Sequence, residues 1–341
     1  MLKSPAPTLD DVATRAGVST ATVSRCLNTP ERVRAETRER VRQAVEALGY
    51  MPHFGGRALA SNRTNTVGAI IPTMENAIFA RGIQAVQEEL AAAGVTLLIA
   101  SSGYDPEREA TQIQTLLARG VDGLLLIGEA RPETTYDLLA RRGVPFVLVW
   151  TRRAGCPHTC VGFDNLAAAR DLAEAVLERG HRDIAMIAGK TAWNDRAAAR
   201  VAGVRAALDA RGLSLPDARL IECDYALEAG AAAFARLMAA ETRPTAVICG
   251  NDVIAAGALS AARRMGIEVP RAVSVVGFDD IDLAEAVSPA LTTVHVPHRR
   301  MGAAAARALL ALRDDAPLPD DLTFTTRLVD RESLAPPPPG A

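Results

Sequence analysis

From Asn65 onward this chain of 341 residues repeats one pattern, a short apolar run followed by a stretch with helical spacing. The apolar runs are Val67 to Ile71, Val95 to Ala100, Gly123 to Ile127, Phe146 to Val149, Ile184 to Ile187, Leu220 to Cys223, Ala246 to Cys249 and Ser274 to Gly277. Between them lie Ile83 to Ala93, Arg108 to Ala118, Ala167 to Arg179, Arg200 to Arg211, Ala229 to Ala239 and Ala255 to Met265. Strands that alternate with helices pair in parallel, and a run without polar alternation is a strand covered on both faces. The expected architecture is therefore α/β, with parallel sheets and helices on both faces. The runs fall into two similar sets split near Phe163, which predicts two lobes. Ligands of such folds bind beyond the carboxyl ends of the strands, so the expected site is a cleft between the lobes. A hydrophobic content of 49% is ample for both cores.

A different pattern stands ahead of it, in TLDDVATRAGVSTATVSRCLN from Thr8 to Asn28. Thr8, with Asp11 three residues on, caps a helix expected over Leu9 to Ala16, where Leu9, Val12, Ala13 and Ala16 share a face. Gly17 ends that helix, and Ser19 caps a second that runs to about Leu27. The turn of three residues is the one a helix-turn-helix requires. Val23 and Leu27 point inward, leaving Thr20, Ala21 and Arg25 on the half that enters a major groove. Arg25 can read a guanine edge with two hydrogen bonds, while Ser19, Thr22 and Ser24 suit phosphate oxygens. Thr8 and Asn28, at the two ends of the motif, complete the candidate DNA contacts. An ordinary helical hairpin has the same spacing. A third helix over Glu36 to Leu48, stopped by Gly49, completes an all-α headpiece. Through Arg63 there are ten basic and six acidic residues, a charge of +4, whereas the whole chain carries −2 and the remainder therefore −6. A basic head on an acidic body is the footprint of nucleic-acid contact at one end.

Several classes are disfavoured. The chain has neither a signal-like apolar segment at its N-terminus nor a run long enough to cross a bilayer, so it is expected in the cytoplasm with no membrane partner. Five irregularly spaced cysteines fit a reducing compartment. Cys156-Pro-His-Thr-Cys160 offers possible metal ligands but lacks the second pair of a structural zinc site, so no metal or cofactor is expected. No GxGxxG follows a strand, and Walker, HExxH and GxSxG motifs are missing, so no catalytic residues are assigned. A sugar-modifying α/β enzyme with a DNA-binding appendage stays as the alternative, and a transport binding protein as a further one. Pro336 to Pro339 predicts a disordered tail over 336–341.

The headpiece segment, followed by VRAETRERVRQAVEALGYMPH, resembles the LacI/GalR family of lactose-repressor and purine-repressor type. The likeness runs on through IIPTMENAIFARGIQ, RGVDGLLLIG, LERGHRDIAMIAG, RPTAVICGND, VSVVGFDD and SPALTTVHVP, which are similar to that family's effector-binding domain, itself related to periplasmic sugar-binding proteins. The resemblance implies a helix-turn-helix headpiece over 1–51, a hinge over 52–64 and a periplasmic-binding-protein-like core over 65–335. Its N-lobe would take about 65–163 and 294–322, its C-lobe about 164–293 and 323–335, with crossings near Phe163, Thr293 and Thr323. Tyr50 to Ser61 resembles the hinge, and Leu59 matches the leucine that wedges into the minor groove at the operator centre. Gly55 and Gly56 depart from the pattern and weaken such a helix by roughly 2 kcal/mol, so a flexible linker is the alternative. Arg34 stands where a serine usually caps the third helix.

The same resemblance places Phe79, Trp150, Asp164, Asn194, Arg196, Arg200, Tyr225, Asn251 and Asp279 at an effector pocket. Each has a plainer reading: Asp164 as a helix cap, Phe79 and Trp150 as packing, Asn251 as turn chemistry. Two arginine forks facing one cleft favour an anion, so a sugar acid or another anionic sugar derivative is the expected effector. The expected protein is a homodimeric regulator, a repressor, that binds a pseudo-palindromic operator and is switched by that small molecule. A dimer is expected over a tetramer because no leucine-heptad segment follows Val329.

Overall fold

The computed structural model describes residues 6–51, 63–75 and 77–339. Leu59 and the Gly55-Gly56 pair lie outside the described residues. The chain divides into two compact units, Met1–Asn65 and Thr66–Ala341.

In the first unit, α1 (Leu9–Ala16), α2 (Thr20–Asn28) and α3 (Ala35–Leu48) enclose a core of Val12, Ala13, Ala16, Val23, Val41, Ala44 and Tyr50. The first helix starts in a reciprocal cap: the Thr8 amide donates to Asp11 Oδ2 at 2.8 Å and the Asp11 amide to Thr8 Oγ1 at 3.3 Å. Gly17 ends the helix at φ +65°, a conformation that costs a Cβ-bearing residue strain. Ser19 accepts the Thr22 amide at 3.2 Å and opens α2. Arg34 precedes α3 with no side-chain cap.

The second unit contains two parallel sheets. The first is built from β1 (Thr66–Ile71), β2 (Thr96–Ser101), β3 (Leu124–Ile127), β4 (Phe146–Val149) and β5 (Cys160–Val161) in the order β2-β1-β3-β4-β5. Its helices are α4 (Ala77–Ala92), α5 (Pro106–Ala118) and α6 (Glu133–Arg142). The second sheet has β6 (Ile184–Gly189), β7 (Leu220–Cys223), β8 (Ala246–Cys249) and β9 (Ser274–Val276) in the order β7-β6-β8-β9. Around it lie α7 (Asn165–Glu178), α8 (Asp195–Asp209), α9 (Leu227–Met238) and α10 (Asp252–Arg264). After α11 (Leu283–Ala286), β10 (Thr293–His295) pairs antiparallel with β11 (Arg327–Val329), and α12 (His298–Arg313) lies between them in sequence.

The eight expected strands are present, with ends displaced by at most two residues. Two helices start well before the expected spacing. α4 begins at Ala77 because Ile78, Phe79 and Gly82 also turn inward, and α8 begins at Asp195 because Arg196 and Ala197 do. Helices α6, α11 and α12 are additions, as are β5, β10 and β11.

The chain crosses between the sheets three times. Gly162 donates its amide to Leu322 O at 3.0 Å and accepts from Phe324 N at 2.8 Å, which ties the first and third crossings together. The second passes from a bridge at Thr292 beside Val276 to β10. Helix α12 packs on α4, β3 and β4 and so belongs to the first lobe, whereas Ser333 and Ala335 bond to Val275 and Ser274 of the second. The expected disorder of the proline-rich end is corrected for its first part. His181 Nε2 bonds the Ala335 carbonyl at 2.8 Å and Pro337 lies over Gly180. Proline loses little conformational freedom when it is laid on a surface.

Candidate functional site

Backbone strain marks one place in the core. Tyr104, Trp150 and Asp279 adopt φ of +62°, +62° and +108°, and all three line the same cleft between the lobes. Left-handed conformations at such residues cost about 1–3 kcal/mol each and persist where the surroundings enforce them. The cleft is completed by Ile78, Phe79, Arg196, Arg200 and Tyr225, and its enclosed part measures about 30 Å³.

The first-lobe wall is aromatic. Phe79 meets Trp150 edge to face, with ring centres 5.7 Å apart at 73°. The Trp150 indole fits against Gly82, where a Cβ would collide with it. Its Nε1–H donates to His298 Nδ1 at 2.9 Å. That bond leaves the imidazole proton on Nε2, and burial pushes the His298 pKa down to about 3, so the ring is neutral at physiological pH.

The second-lobe wall is polar. The Arg200 guanidinium lies 3.7 Å over the Phe278 ring, donates from Nε to Asn165 Oδ1 at 3.0 Å and from Nη1 to the Gly250 carbonyl at 2.7 Å. Its Nη2 stands 3.6 Å from Asp279 Oδ1, an ion pair longer than a hydrogen bond. Asp279 is 1% exposed, and neither of its carboxylate oxygens has a hydrogen-bond partner among the described residues. His298 Nε2, 3.8 Å from Asp279 Oδ1, lacks one as well. Burial raises the Asp279 pKa to about 7, against the opposing pull of Arg200 and Arg196. A buried donor beside a buried acceptor, both unsatisfied, is an arrangement that a ligand group can complete.

Contacts across the cleft hold the lobes together. The Glu129 amide donates to Asp195 Oδ2 at 3.1 Å, and Asp195 Oδ1 binds Arg196 Nη1 at 3.0 Å. Arg81 pairs with Asp282, and the Tyr104 and Tyr225 rings lie 5.6 Å apart.

Of the nine expected effector residues, the cleft gathers Phe79, Trp150, Arg196, Arg200, Tyr225 and Asp279. Asn194 touches it only through Tyr225, whose hydroxyl accepts from Asn194 Nδ2 at 3.3 Å; its Oδ1 caps α8. Asp164 is corrected: it is exposed and caps α7, accepting the Ala167 amide at 3.0 Å. The next residue, Asn165, is the one that turns inward to orient Arg200 and bond the Trp150 carbonyl. Asn251 is corrected too, since its Oδ1 is taken by the Ile254 amide and it does not line the cleft. Its neighbour Asp252 braces the floor instead, accepting from Thr293 Oγ1 at 2.5 Å and from Ile281 N at 2.9 Å. The anion argument is also corrected. The Arg200 fork is committed to Asn165 and Gly250, Arg196 is paired with Asp195, and the Asp279 carboxylate, whose oxygens have no hydrogen-bond partner among the described residues, faces the same space. Tyr104, Ile78 and His298 were beyond sequence reasoning, although the aromatic at 104 in a polar turn was a signal.

In the headpiece, Ser19, Thr20, Ala21, Arg25 and Asn28 are exposed, with Thr22 and Ser24 half-buried. The Arg25 side chain has no partner among the described residues. Ser19 Oγ and Thr22 Oγ1 lie 2.9 Å apart, and Asn28 Nδ2 donates to Ser24 Oγ at 3.3 Å. The Thr8 hydroxyl is held by Asp11 at 2.7 Å, so its first task is the cap. Among the described residues no group of three metal-ligating side chains is present, and no helix is long and apolar enough to cross a membrane.

Fold and cleft together define a two-lobed small-molecule binder joined to a helix-turn-helix reader of DNA. Residues 8–53 match the family described as bacterial regulatory proteins, lacI family, and residues 173–334 the periplasmic binding protein-like domain. The chain belongs to the LacI family of transcriptional regulators. It is 38% identical over 306 residues to the HTH-type transcriptional repressor PurR of Erwinia tasmaniensis, a match spanning 89% of either chain. Among solved structures, a LacI-family regulator from Silicibacter pomeroyi superposes with a TM-score of 0.88 at 27% identity, over 96% of this chain and 99% of that one. The lac repressor dimer bound to operator and the anti-inducer ONPF gives a TM-score of 0.85 at 26% identity, with the same coverage.

Proposed function

We propose that this protein is a cytoplasmic repressor that binds a pseudo-palindromic operator as a dimer and is switched by a small neutral ring compound in the cleft. The observation that carries the effector reading is the buried Asp279 carboxylate with two unfilled acceptor oxygens, set beside the neutral His298 and an aromatic wall. Such a site rewards hydroxyl or N–H donors on a flat or puckered ring and penalises a second negative charge. Repression and dimeric operator binding draw support from the relatives, which are named as repressors or were solved as a dimer on operator. Switching requires that the effector bind the DNA-competent and DNA-incompetent forms with different affinity.

A thermal-shift screen of the full chain against neutral sugars, nucleobases, nucleosides, sugar acids and sugar phosphates tests the effector class. A ligand at 100 times its dissociation constant adds about 2.7 kcal/mol, a readily measured shift. Neutral ring compounds are expected to stabilise the protein and then to change operator retention in a gel. Stabilisation by the acids or phosphates alone overturns the neutral reading. For the headpiece, Arg25→Ala is expected to cost about 1–3 kcal/mol at one operator base pair and relax selectivity there; an unchanged base preference removes Arg25 from base reading.

A further inference from the structure

Away from the cleft, the first lobe brings two thiols together. After β4 ends at Val149 the chain takes a helix-free loop before returning to the same sheet as β5, with Leu148 paired to Cys160 and Val149 to Val161. Within the loop the Cys156 amide donates to the Arg153 carbonyl at 3.2 Å, a turn that directs Cys156 back toward the strand. The Cys160 thiol donates to Cys156 Sγ at 3.1 Å. A disulfide is about 2.05 Å long, so an approach of about 1 Å on a surface loop closes the bond.

We propose that Cys156 and Cys160 are a redox-active dithiol that closes to an intramolecular disulfide when the protein meets a peroxide. The two sulfurs differ in the way such a pair requires. Cys160 is fully buried in the cluster that Tyr136 and Phe146 pack against, whereas Cys156 is only half-buried and open to a small oxidant. Burial and its neighbour Cys156 push the Cys160 pKa up to about 12, which keeps it a thiol in reserve. The remaining cysteines offer no second pair. Cys223 and Cys249 sit on strands separated by β6, about 10 Å apart, and Cys26 is in the headpiece.

The chemistry balances with peroxide as the oxidant. The Cys156 thiolate attacks one peroxide oxygen, breaking the O–O bond; Cys156 becomes a sulfenic acid and the other oxygen leaves as water after protonation. The Cys160 sulfur then attacks the sulfenic sulfur, losing its proton as the S–O bond breaks and a second water departs. Two thiols lose two electrons and one peroxide becomes two waters. The loop that the bond staples begins beside Trp150, carries Arg153, whose Nε holds Glu129 Oε1 at 2.6 Å, and ends just before the first crossing at Gly162.

The test uses the full chain, reduced with dithiothreitol, desalted, treated with hydrogen peroxide, blocked with N-ethylmaleimide and digested with trypsin. Both cysteines fall in one peptide, 154–170. That peptide is expected about 2 Da lighter and unblocked, and dithiothreitol is expected to restore a doubly blocked form. In Cys160→Ser, Cys156 is expected to accumulate as a sulfenic acid that dimedone traps, whereas in Cys156→Ser the Cys160 thiol is expected to survive the same exposure. A wild-type peptide that stays doubly blocked, over-oxidises at Cys156 with Cys160 still a thiol, or links to another chain overturns the proposal. The reading also fails if Cys156→Ser leaves Cys160 as reactive as in the wild type.

Discussion

The two walls of the cleft are made of different material. The first lobe presents Ile78, Phe79, Tyr104 and Trp150, and the second presents Arg196, Arg200, Tyr225 and Asp279. The apolar wall excludes water and limits the thickness of what enters; the polar wall dictates which atoms of the guest must point where. Most of the bracing lies within each lobe, Trp150 by His298 and Gly82, Arg200 by Asn165 and Gly250, with Asn165 also bonding the Trp150 carbonyl across the cleft. Affinity is therefore a property of one wall and selectivity of the other, a separation that substitutions can break.

The largest effect is expected from Arg200→Ala. It strands Asn165 Oδ1, the Gly250 carbonyl and the buried Asp279 charge, and removing one partner from a buried pair costs about 3–5 kcal/mol. Urea unfolding is expected to show that loss, together with a lost effector response; full stability would mean that Arg200 braces nothing. Asp279→Asn comes next. At pH 8, where the carboxylate is ionised, loss of the charged acceptor is expected to weaken a donor-bearing effector by about 1.5–3 kcal/mol, read by calorimetry, while analogues lacking the donor bind as before. Equal weakening of both kinds of ligand would erase the distinction between the walls.

The same carboxylate shapes the pH profile. With its pKa raised from 3.8 to about 7, folded Asp279 holds its proton where the unfolded chain has released it, so stability falls as pH rises from about 4 to about 7. Asp252, raised to about 8 by burial and by Asp279, prolongs that loss to about pH 8. His298 acts in the opposite sense: its stabilisation is complete above 6.5 and disappears as pH falls toward 3. Thermal melts from pH 4 to 8 are expected to show the alkaline decline in the wild type and a shallower one in Asp279→Asn. The smallest effect is expected from Phe79→Leu on the apolar wall, about 1 kcal/mol of stability and a few-fold weakening shared by every ring ligand. Weakening confined to one ligand class would show the aromatic wall to be selective after all.

The parts of this molecule legible in the sequence are those whose signal is local. A strand buried on both faces is a run of apolar residues, and Phe146–Val149 and Ala246–Cys249 are found where the runs lie. Helix α6 escaped because it buries only Thr135 and Leu139, and α12 because much of its inner face is alanine and glycine, chosen for a close crossing with α4 at Gly82 and Gly302. Strands β5, β10 and β11, of two or three residues, carry too little pattern to register, whereas the equally short β9 is found because Ser274 to Gly277 lies in an apolar run. The cleft follows the same rule. Asp279 follows the end of β9 and Arg200 lies in the second turn of α8, near the strand and helix ends where ligand residues are expected, but His298 meets Trp150 across 148 positions, a partnership only tertiary structure creates. At 164 and 165 the distinction was about 100° of helical rotation: one side chain caps, its neighbour turns in.

Because the chain passes between the lobes three times, neither lobe is one continuous stretch of polypeptide. Helix α12 returns to the first lobe after the whole second sheet has been laid down, and the segment through Ala335 goes back to the second. A chimera cut at any single point between Phe163 and Thr292 would inherit mismatched halves of at least one core. Recombination can exchange the headpiece of such a protein as a cassette, whereas a new effector preference must arise in place, by changes at individual wall residues.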